Sequence, residues 1–412
     1  MKYLLFALAF FLTVSLASTA APRHCYDSLL VDGLDELQYY ALDTSNHWIA
    51  ITKPFTSMYR VIIDGIESKP FNEISPIKLS SDGYAWAFFG YDNLGWNLIT
   101  RDSSSYLPAG CAPGEICFSP DGSALAYSYF DNTMEYFSVR GKEIRATNKS
   151  GQLFLNTNGY QYAYIASSGS RYVVNINGRE TTSYDTIVPF GFWHDNKFLF
   201  AARNGYDWKI YKNDKEITEP FQNVSFCKIN RSGTVAAAIV GRALNNVTSI
   251  LISDQFYEPL YGMPYENAYA LVLHPELAIA SFVGTNNGYK HAVMNTIEMP
   301  GGEDISSVFF THNGEDNYYL VCGIDCSLIV NGKKFPLSDN IYLDKLFARK
   351  PGSNTFAYTT SSTLVMRYLE NPDMLGGRLM DEMGGARYNR LLDRYEALGR
   401  IGNRLYLLWC TD

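Results

Sequence analysis

The sequence has no excess of basic charge and, beyond its first residues, no long apolar run. Its 412 residues include 34 Lys and Arg against 42 Asp and Glu, which gives a net charge of −8 at pH 7. Because binding to a phosphate backbone needs a basic surface, this balance argues against nucleic acid as a partner. No later segment approaches the ~20 apolar residues of a transmembrane helix, so we expect no membrane span after residue 20.

Sequence motifs for metals, nucleotides and covalent catalysis are also missing. The six histidines stand at no zinc-ligand spacing, and the chain has no EF-hand loop. It also lacks a nucleophile-elbow serine, a P-loop and a dinucleotide glycine fingerprint. We therefore predict no metal, no cofactor and no catalytic residue. Carboxylates that recur in polar turns, such as Asp82, Asp121 and Asp195, are interpreted as turn-capping groups rather than as acid–base pairs.

The N-terminal stretch MKYLLFALAFFLTVSLASTA has the parts of a secretory signal peptide. Lys2 gives a positive start, and residues 3–16 form an apolar run too short to span a bilayer comfortably. Residues 18–20 supply small side chains before a cleavage site. We predict a signal peptide over residues 1–20 and a single secreted or periplasmic domain over residues 21–412. A retained membrane anchor is the alternative.

What the chain does have is an abundance of aromatic residues and an internal repeat. Aromatics make up 15% of the sequence, with 31 Tyr and 24 Phe, which favours β-strands. Each module reads as strand, polar turn, strand, loop, strand, tight turn and strand. Most modules are 37 to 39 residues apart, and their first turns fall near residues 45, 82, 121, 158, 195, 232, 275, 313, 352 and 402. This period is close to the ~40 residues of a four-stranded propeller blade.

The tight turns between third and fourth strands support this interpretation. They carry dipeptides such as Asp-Gly and Asn-Gly, the strongest short hairpin signals, because both turn positions need a positive φ. The clearest are Asp64-Gly65, Arg140-Gly141, Asn177-Gly178 and Asn331-Gly332.

One module shows a family resemblance. The stretch FSPDGSALAYSY, from Phe118 to Tyr129, resembles the repeat of TolB-type, WD-like bacterial β-propellers, in which an F-S-P-D-G turn precedes an L-A-Y strand. The other copies are more degenerate. The resemblance implies a propeller fold over roughly residues 24–412.

The two ends of the chain look like parts of one module. Residues 395–410 match its first two strands, and residues 25–36 match its last two. We therefore predict an all-β propeller of four-stranded blades, with about ten modules and 8–10 blades. N- and C-terminal strands in one shared blade would close it and remove the exposed sheet edge. A single ring is favoured, and two stacked five-bladed rings or an irregular eight-bladed ring are alternatives.

Seven cysteines in an exported chain favour disulfides. A shared blade would bring the first and last cysteines together, and two further pairs flank short loops. The candidate pairs are Cys25 with Cys410, Cys111 with Cys117, and Cys322 with Cys326. Cys227 is left over and is expected to be a buried free thiol.

The loops between second and third strands combine Asn, Gly and large aromatic side chains. These residue types suit protein or sugar recognition, because rings stack and amides form hydrogen bonds. The candidate ligand contacts are Asn93, Trp96, Asn132, Asn204, Tyr206, Trp208, Asn287 and Tyr289. The alternative interpretation is that the aromatic residues pack between blades and the asparagines form turns.

Residues 371–399 depart from the repeat. Leu391, Leu392, Tyr395 and Leu398 have helix-like spacing, and the segment holds a cluster of four arginines. We predict a helical insertion here, either docking a partner or presenting a solvated charged face.

Together these features predict an exported, non-catalytic propeller scaffold. It would bind a protein partner, or an envelope or extracellular glycan, through one loop-lined face. The alternatives are a glycan lyase or hydrolase that uses the central channel, and a purely structural module of a larger assembly.

Overall fold

The computed structural model describes residues 25–411, apart from a number of short segments. These are residues 33–36, 43–46, 54–57, 81–84, 133, 147, 244–245, 255–257, 275–276, 307, 311–315, 324, 338–346, 351, 354, 360–362, 369–373, 377 and 390–391. The predicted signal peptide over residues 1–20 and the turn residue Asp82 lie outside the described residues. No helix in the described part of the chain is long and apolar enough to cross a membrane.

Ten antiparallel sheets follow one another along the chain, each built mainly from consecutive strands. The described chain begins with β1 (Cys25–Val31), which belongs to the last sheet. Blade 1 contains β2 (Leu37–Leu42), β3 (Trp48–Thr52), β4 (Arg60–Ile63) and β5 (Ile66–Glu67). Blade 2 contains β6 (Glu73–Ile74), β7 (Lys78–Leu79), β8 (Trp86–Asp92), β9 (Gly95–Thr100) and β10 (Ser104–Tyr106). Blade 3 contains β11 (Ala112–Phe118), β12 (Leu125–Phe130), β13 (Glu135–Val139) and β14 (Lys142–Ala146).

The next four blades repeat this plan. Blade 4 contains β15 (Lys149–Leu155), β16 (Tyr162–Ser168), β17 (Arg171–Ile176) and β18 (Arg179–Glu180). Blade 5 contains β19 (Thr186–Phe192), β20 (Phe198–Asn204), β21 (Asp207–Lys212) and β22 (Lys215–Glu216). Blade 6 contains β23 (Asn223–Ile229), β24 (Val235–Ala243), β25 (Asn246–Ser253) and β26 (Leu260–Tyr261). Blade 7 contains β27 (Asn267–Leu273), β28 (Ala280–Asn286), β29 (Tyr289–Met294) and β30 (Ile297–Gly302).

The last three blades complete the array. Blade 8 contains β31 (Asp304–Ile305), β32 (Phe309–Phe310), β33 (Asn317–Cys322), β34 (Cys326–Val330) and β35 (Lys333–Pro336). Blade 9 contains β36 (Phe347–Arg349), β37 (Thr355–Thr359), β38 (Leu364–Tyr368) and β39 (Met374–Gly376). Blade 10 contains β40 (Glu382–Met383), β41 (Arg387–Asn389), β42 (Arg394–Ile401) and β43 (Arg404–Cys410), with β1 added at its outer edge.

The tight turns between third and fourth strands have the backbone that their sequences predict. Asp64 and Gly65 adopt φ values of 50° and 84°, and Asn177 and Gly178 adopt 53° and 88°. Two successive positive φ values define the turn that matches the right-handed twist of a hairpin. The same pair of signs occurs at Arg140-Gly141 and Asn331-Gly332.

The sheets close into a single propeller of ten blades, as predicted. Innermost strands of successive blades contact each other, as β15, β19, β23 and β27 do, so they line a central channel. One buried apolar cluster lies between each pair of neighbouring blades, and a tenth joins blade 10 to blade 1 through residues such as Leu398, Leu405, Ala50 and Ile62. The core is therefore a closed ring of layers.

The chain ends share blade 10, as predicted, but they divide it differently. β1 pairs with β43, with Cys25 opposite Cys410, and supplies only the outermost strand. Residues 394–410 form the second and third strands, and β40 and β41 form the innermost one. The predicted two-plus-two division was therefore wrong by one strand, because the innermost strand is split and carries little of the repeat's apolar pattern.

The predicted helical insertion over residues 371–399 is also wrong for the residues that the structure describes. They form β39, β40, β41 and the start of β42. Tyr395 and Leu398 are buried strand residues in blade 10, so tertiary packing between sheets overrides their helix-like spacing.

Two of the three candidate disulfides are present. Cys25 pairs with Cys410, and Cys322 pairs with Cys326. Cys111 and Cys117 are free thiols, so that predicted pair is wrong. Cys117 lies within β11 and Cys111 directly before it, and six residues of extended strand separate them by roughly 20 Å. Cys227 is free, as predicted, and is half-buried rather than fully buried.

Aromatic residues ahead of four innermost strands join neighbouring blades. Phe71 is fully buried, and its backbone N–H and C=O pair with those of Tyr59 in the preceding blade at 2.8 and 2.6 Å. We call these residues clasps; they are Phe71, Tyr184, Phe221 and Tyr265. Glycine makes room for two of them, because a Cβ added at Gly90 or Gly284 would lie 2.5 Å from the ring of Phe71 or Tyr265.

The face of the ring to which a loop belongs follows from the antiparallel order. Turns between second and third strands lie at the same end as the blade-to-blade connections, and we call this end the connection face. First turns and third-to-fourth turns lie at the other end, the turn face. Arg231 Nε donates to the Pro120 carbonyl at 3.0 Å. This bond joins the first turns of blades 6 and 3 and narrows the channel at the turn face.

Removing the terminal disulfide should cost far more stability than removing the local one. The Cys25–Cys410 bridge spans 385 residues and the Cys322–Cys326 bridge spans 4. The chain-entropy model gives about 6 kcal/mol for the long loop and about 2 kcal/mol for the short one. We expect C25S/C410S to unfold at much lower denaturant than the matched C322S/C326S variant, as measured by circular dichroism. Equal midpoints for the two variants would contradict the closure of the ring through blade 10.

Gly90→Ala should destabilise the ring by about 2 kcal/mol, because the new methyl group meets the buried Phe71 ring and overpacks the layer. Gly323→Ala is the matched control, since its Cβ would come no closer than 3.9 Å to any neighbour, Glu303. Denaturant unfolding of both variants measures the difference. Adding Phe71→Leu to Gly90→Ala should recover part of the loss, and purely additive effects would argue against the clasp contact.

Candidate functional site

All of the candidate ligand-contact residues lie on the connection face, in or beside turns between second and third strands. Two of the four asparagines, Asn287 and Asn204, have a structural role in or beside their turns. Asn287 has a φ of 50°, and Asn93 is exposed in the two-residue turn of blade 2. Asn204 accepts a hydrogen bond from Arg171 at 2.9 Å across to the neighbouring blade. Asn132 is exposed in the corresponding bend of blade 3.

The four aromatic candidates differ in exposure. Tyr206 is 95% exposed at the tip of its turn, and Tyr289 is also exposed. Trp96 is half-buried, with its ring 5.2 Å from that of Tyr91. Trp208 is buried and pairs through its backbone with the clasp residue Phe221. Three of these rings are therefore available to a ligand, and Trp208 packs between blades.

Sequence reasoning missed several exposed apolar side chains on the same face. They are Tyr91, Leu94 and Tyr106 in blade 2, and Phe130 at the corresponding end of blade 3. Together with the predicted, half-buried Trp96, the three blade-2 residues form what we call the blade-2 patch. Tyr91 is the penultimate residue of a second strand, Phe130 ends a second strand and Tyr106 ends a fourth strand. These residues could have been found from the repeat. Side chains alternate between the two sides of a strand, so an aromatic residue near the end of a strand can be predicted to point away from the core. That prediction requires the position at which each strand ends, and the period of the repeat does not locate strand ends accurately.

Asp92 holds the blade-2 patch together. Its carboxylate accepts hydrogen bonds from Lys69 Nζ at 2.7 Å, Tyr106 Oη at 2.9 Å and the Leu94 N–H at 2.9 Å. Partial burial by itself would raise the pKa of Asp92, but these hydrogen bonds, led by that of Lys69, lower the pKa to about 2. Lys69 also lies over the Tyr106 ring at 5.3 Å. Asp92 therefore fixes the position of the Tyr106 side chain and of the turn that carries Leu94.

The recurring first-turn carboxylates lie on the turn face and cap their own turns. Asp121 accepts hydrogen bonds from Ser119 Oγ at 2.6 Å and the Ser123 N–H at 2.9 Å. Asp195 forms ion pairs with Lys197 and Lys212, each at 3.1 Å. This matches the turn-capping interpretation of these residues.

The free thiols lie in surroundings that disfavour the thiolate. Burial, and next the nearby Glu115, raises the pKa of Cys117 to about 11. Burial raises the pKa of Cys227, and burial with Asp131 and Glu143 raises that of Cys111. Because the thiolate is the reactive form, these thiols are poor nucleophiles near neutral pH. Among the described residues, no three His, Cys, Asp or Glu side chains are grouped closely enough to hold a metal ion.

Comparison with known proteins identifies similarity of fold alone. The sequence matches no protein-family model and none of the curated proteins. Among solved structures, the fold is similar to that of a crystal structure of the eukaryotic initiation factor, with a TM-score of 0.50 and 10% identity over 76% of this chain and 90% of that one.

Two further structures are more distant. A prolyl endopeptidase structure matches with a TM-score of 0.37 and 10% identity over 83% of this chain and 55% of that one. TolB from Acinetobacter baumannii matches with a TM-score of 0.30 and 11% identity over 73% of this chain and 79% of that one. The propeller fold that the repeat predicts is shown directly by the ten blades of this chain.

Asp92→Asn should remove a stabilising network whose strength depends on pH. The folded-state pKa of Asp92 is lowered from 3.8 to about 2, so its contribution is complete above pH 4 and is lost as the pH falls towards 2. We expect the variant to be less stable at pH 6 by about 1 kcal/mol, a value discounted for solvent screening. The difference should shrink at pH 2.

Denaturant unfolding at the two pH values measures this, with Asp102→Asn as the control because Asp102 is an exposed carboxylate in the same blade. A stability difference for Asp92→Asn that does not change with pH would rule out the ionised network.

Proposed function

We propose that the protein is an exported, non-catalytic propeller scaffold that binds a protein partner through its connection face. An envelope or extracellular glycan is the second class of ligand. The observation that carries this proposal is the distribution of exposed rings. Among the described residues, five exposed aromatic side chains lie on the connection face, two (Tyr26 at the start of β1, and Tyr160) lie at the turn face, and Phe226 lies on a strand that lines the channel. The five are Tyr91, Tyr106, Phe130, Tyr206 and Tyr289.

Exposed rings of this kind suit recognition for a physical reason. A tyrosine offers a large flat surface with a polar tip, and few rotatable bonds must be fixed when it binds. Such residues are enriched at interfaces, whereas isolated exposed rings scattered evenly over a protein need no functional explanation. The uneven distribution between the two faces, and the anchoring of Tyr106 by Asp92, support a binding role for one of them.

Two observations support export. The first twenty residues have the composition of a signal peptide, and the fold contains two disulfides. Disulfides persist in oxidising compartments outside the cytosol. Burial raises the pKa of all three free thiols, which supports a non-catalytic role for the cysteines because the thiolate is the nucleophilic form.

Replacing connection-face rings should strongly reduce partner capture without unfolding the protein. The full chain would be expressed with its own N-terminus, recovered from the exported fraction and used both as bait and on a glycan array. A variant with Tyr91→Ser, Tyr206→Ser and Tyr289→Ser should lose at least about tenfold of the specific signal, since each ring contributes roughly 1 kcal/mol. Tyr160→Ser on the turn face is the matched control and should bind normally.

The same sample tests export, because mass spectrometry reports whether the chain begins at residue 21. A ligand retained equally by both variants would exclude the connection face. A chain found only in the cytosol, or with residues 1–20 retained, would exclude export by signal cleavage.

A further inference from the structure

Several innermost strands of the propeller contain a β-bulge, which changes the side chains that face the channel. In blades 6 and 7, two residues of the innermost strand face one residue of the second strand. Phe226 and Cys227 lie opposite Ala238, and Ala270 and Leu271 lie opposite Phe282. The first residue of each bulge adopts a left-handed backbone, with φ of 52° at Phe226 and 54° at Ala270. Such bulges redirect side chains next to functional sites.

Phe226 is the unusual member of this pair. A bulky aromatic side chain in the left-handed region costs folding free energy, because its Cβ crowds the following carbonyl. The ring gains little from packing in return, since it is 50% exposed on the strand that lines the channel. A strained residue that is not compensated by burial in the core is grounds for a functional hypothesis.

An apolar concavity in the channel wall begins at Cys227, the residue that follows Phe226 in β23. It has a volume of about 470 Å³, in the range of small-molecule sites, and innermost strands of blades 5, 6 and 7 line it. Phe190, Ile229, Val272 and Leu273 supply its apolar surface.

One cation belongs to the same wall. Lys228 lines the concavity and is exposed. Within the described residues, no hydrogen bond or ion pair engages its ammonium group. Arg231 follows the lining residue Asn230, and its hydrogen bond to the Pro120 carbonyl narrows the channel at the turn face.

We propose that this wall is a binding site for a small anionic ligand with an aromatic or apolar body, in which Phe226 stacks on the body and Lys228 pairs with the anionic group. This site is separate from the connection-face rings, and its existence does not depend on them. The ligand class follows from the chemistry of the wall, which offers one exposed ring, one unengaged cation and an apolar floor.

The probe for this proposal is 1-anilinonaphthalene-8-sulfonate, which combines fused rings with a fixed negative charge. Its uncharged analogue N-phenyl-1-naphthylamine is the matched control ligand. Fluorescence titration of the folded full chain should show one saturable site for the sulfonate. Lys228→Gln should weaken sulfonate binding by about tenfold and leave binding of the uncharged analogue nearly unchanged, as the loss of one ion pair predicts.

Phe226→Gly separates ligand binding from stability. Glycine relieves the left-handed strain, so the variant should be at least as stable as the parent protein, yet it should bind both probes about tenfold more weakly because the stacking surface is lost. Ala270→Gly is the matched control, since it relieves the same strain at the equivalent bulge and should leave binding unchanged.

The location of the bound probe has its own readout. In a C111S/C117S background, Cys227 is the one remaining free cysteine and lines the concavity. Bound sulfonate should slow its alkylation, and Lys228→Gln should remove that protection. Unchanged sulfonate affinity in both Lys228→Gln and Phe226→Gly, or binding that is lost only when Tyr91, Tyr206 and Tyr289 are replaced, would overturn the proposal.

Discussion

Burial between blades is the interaction on which the rest of this structure depends. Each blade is a twisted sheet with two apolar faces, and neither face is covered by the blade itself. Ten apolar clusters, one per neighbouring pair, cover both faces of every blade only because blade 10 packs against blade 1. Without that last layer two sheet faces would be exposed to water, and the array would be an open superhelix with aggregation-prone ends. The pairing of β1 with β43 and the Cys25–Cys410 disulfide hold the ring shut at this position.

The clasps show how the same constraint positions the loops. Phe71 and its equivalents pair the start of one blade with the third strand of the blade before it. This pairing fixes the position at which each blade-to-blade connection enters the next sheet. Turns between second and third strands then emerge at one common face, and their side chains are held by contacts that cross between blades, as Arg171 does to Asn204. The proposed recognition residues on this face would therefore be held by a rigid frame, which lowers the entropy that binding must remove. The rings that pack are buried between blades, whereas the exposed rings of the connection face lie at or near strand ends.

The innermost strands, which line the channel, are less regular than the rest of the blades. Its strands have neighbours on one edge only, so bulges are tolerated there that would disrupt a central strand. Blades 2, 8 and 10 go further and split the innermost strand in two. Variation between blades is greatest where pairing is weakest, and residues such as Phe226 and Lys228 depart from the repeat there without affecting the inter-blade layers. This explains why the sequence repeat is degenerate although the ring of blades is regular.

Local chemistry determined much of this fold from the sequence alone. The period of 37 to 39 residues, the Asp-Gly and Asn-Gly turns and the resemblance of the two chain ends predicted four-stranded blades, a count near ten and closure in a shared blade, because turn conformation and alternation are properties of neighbouring residues. What only the tertiary structure decided are properties that depend on distant residues. Tyr395 and Leu398, which have helix-like spacing, are buried strand residues, and Cys111 and Cys117 are held apart by an extended β11. Trp208 is enclosed, whereas Tyr91 and Tyr106 are exposed. The physical reason is that burial, pairing and strand ends are set by which sheet packs against which, and a sequence pattern specifies the faces of a strand without specifying what covers them.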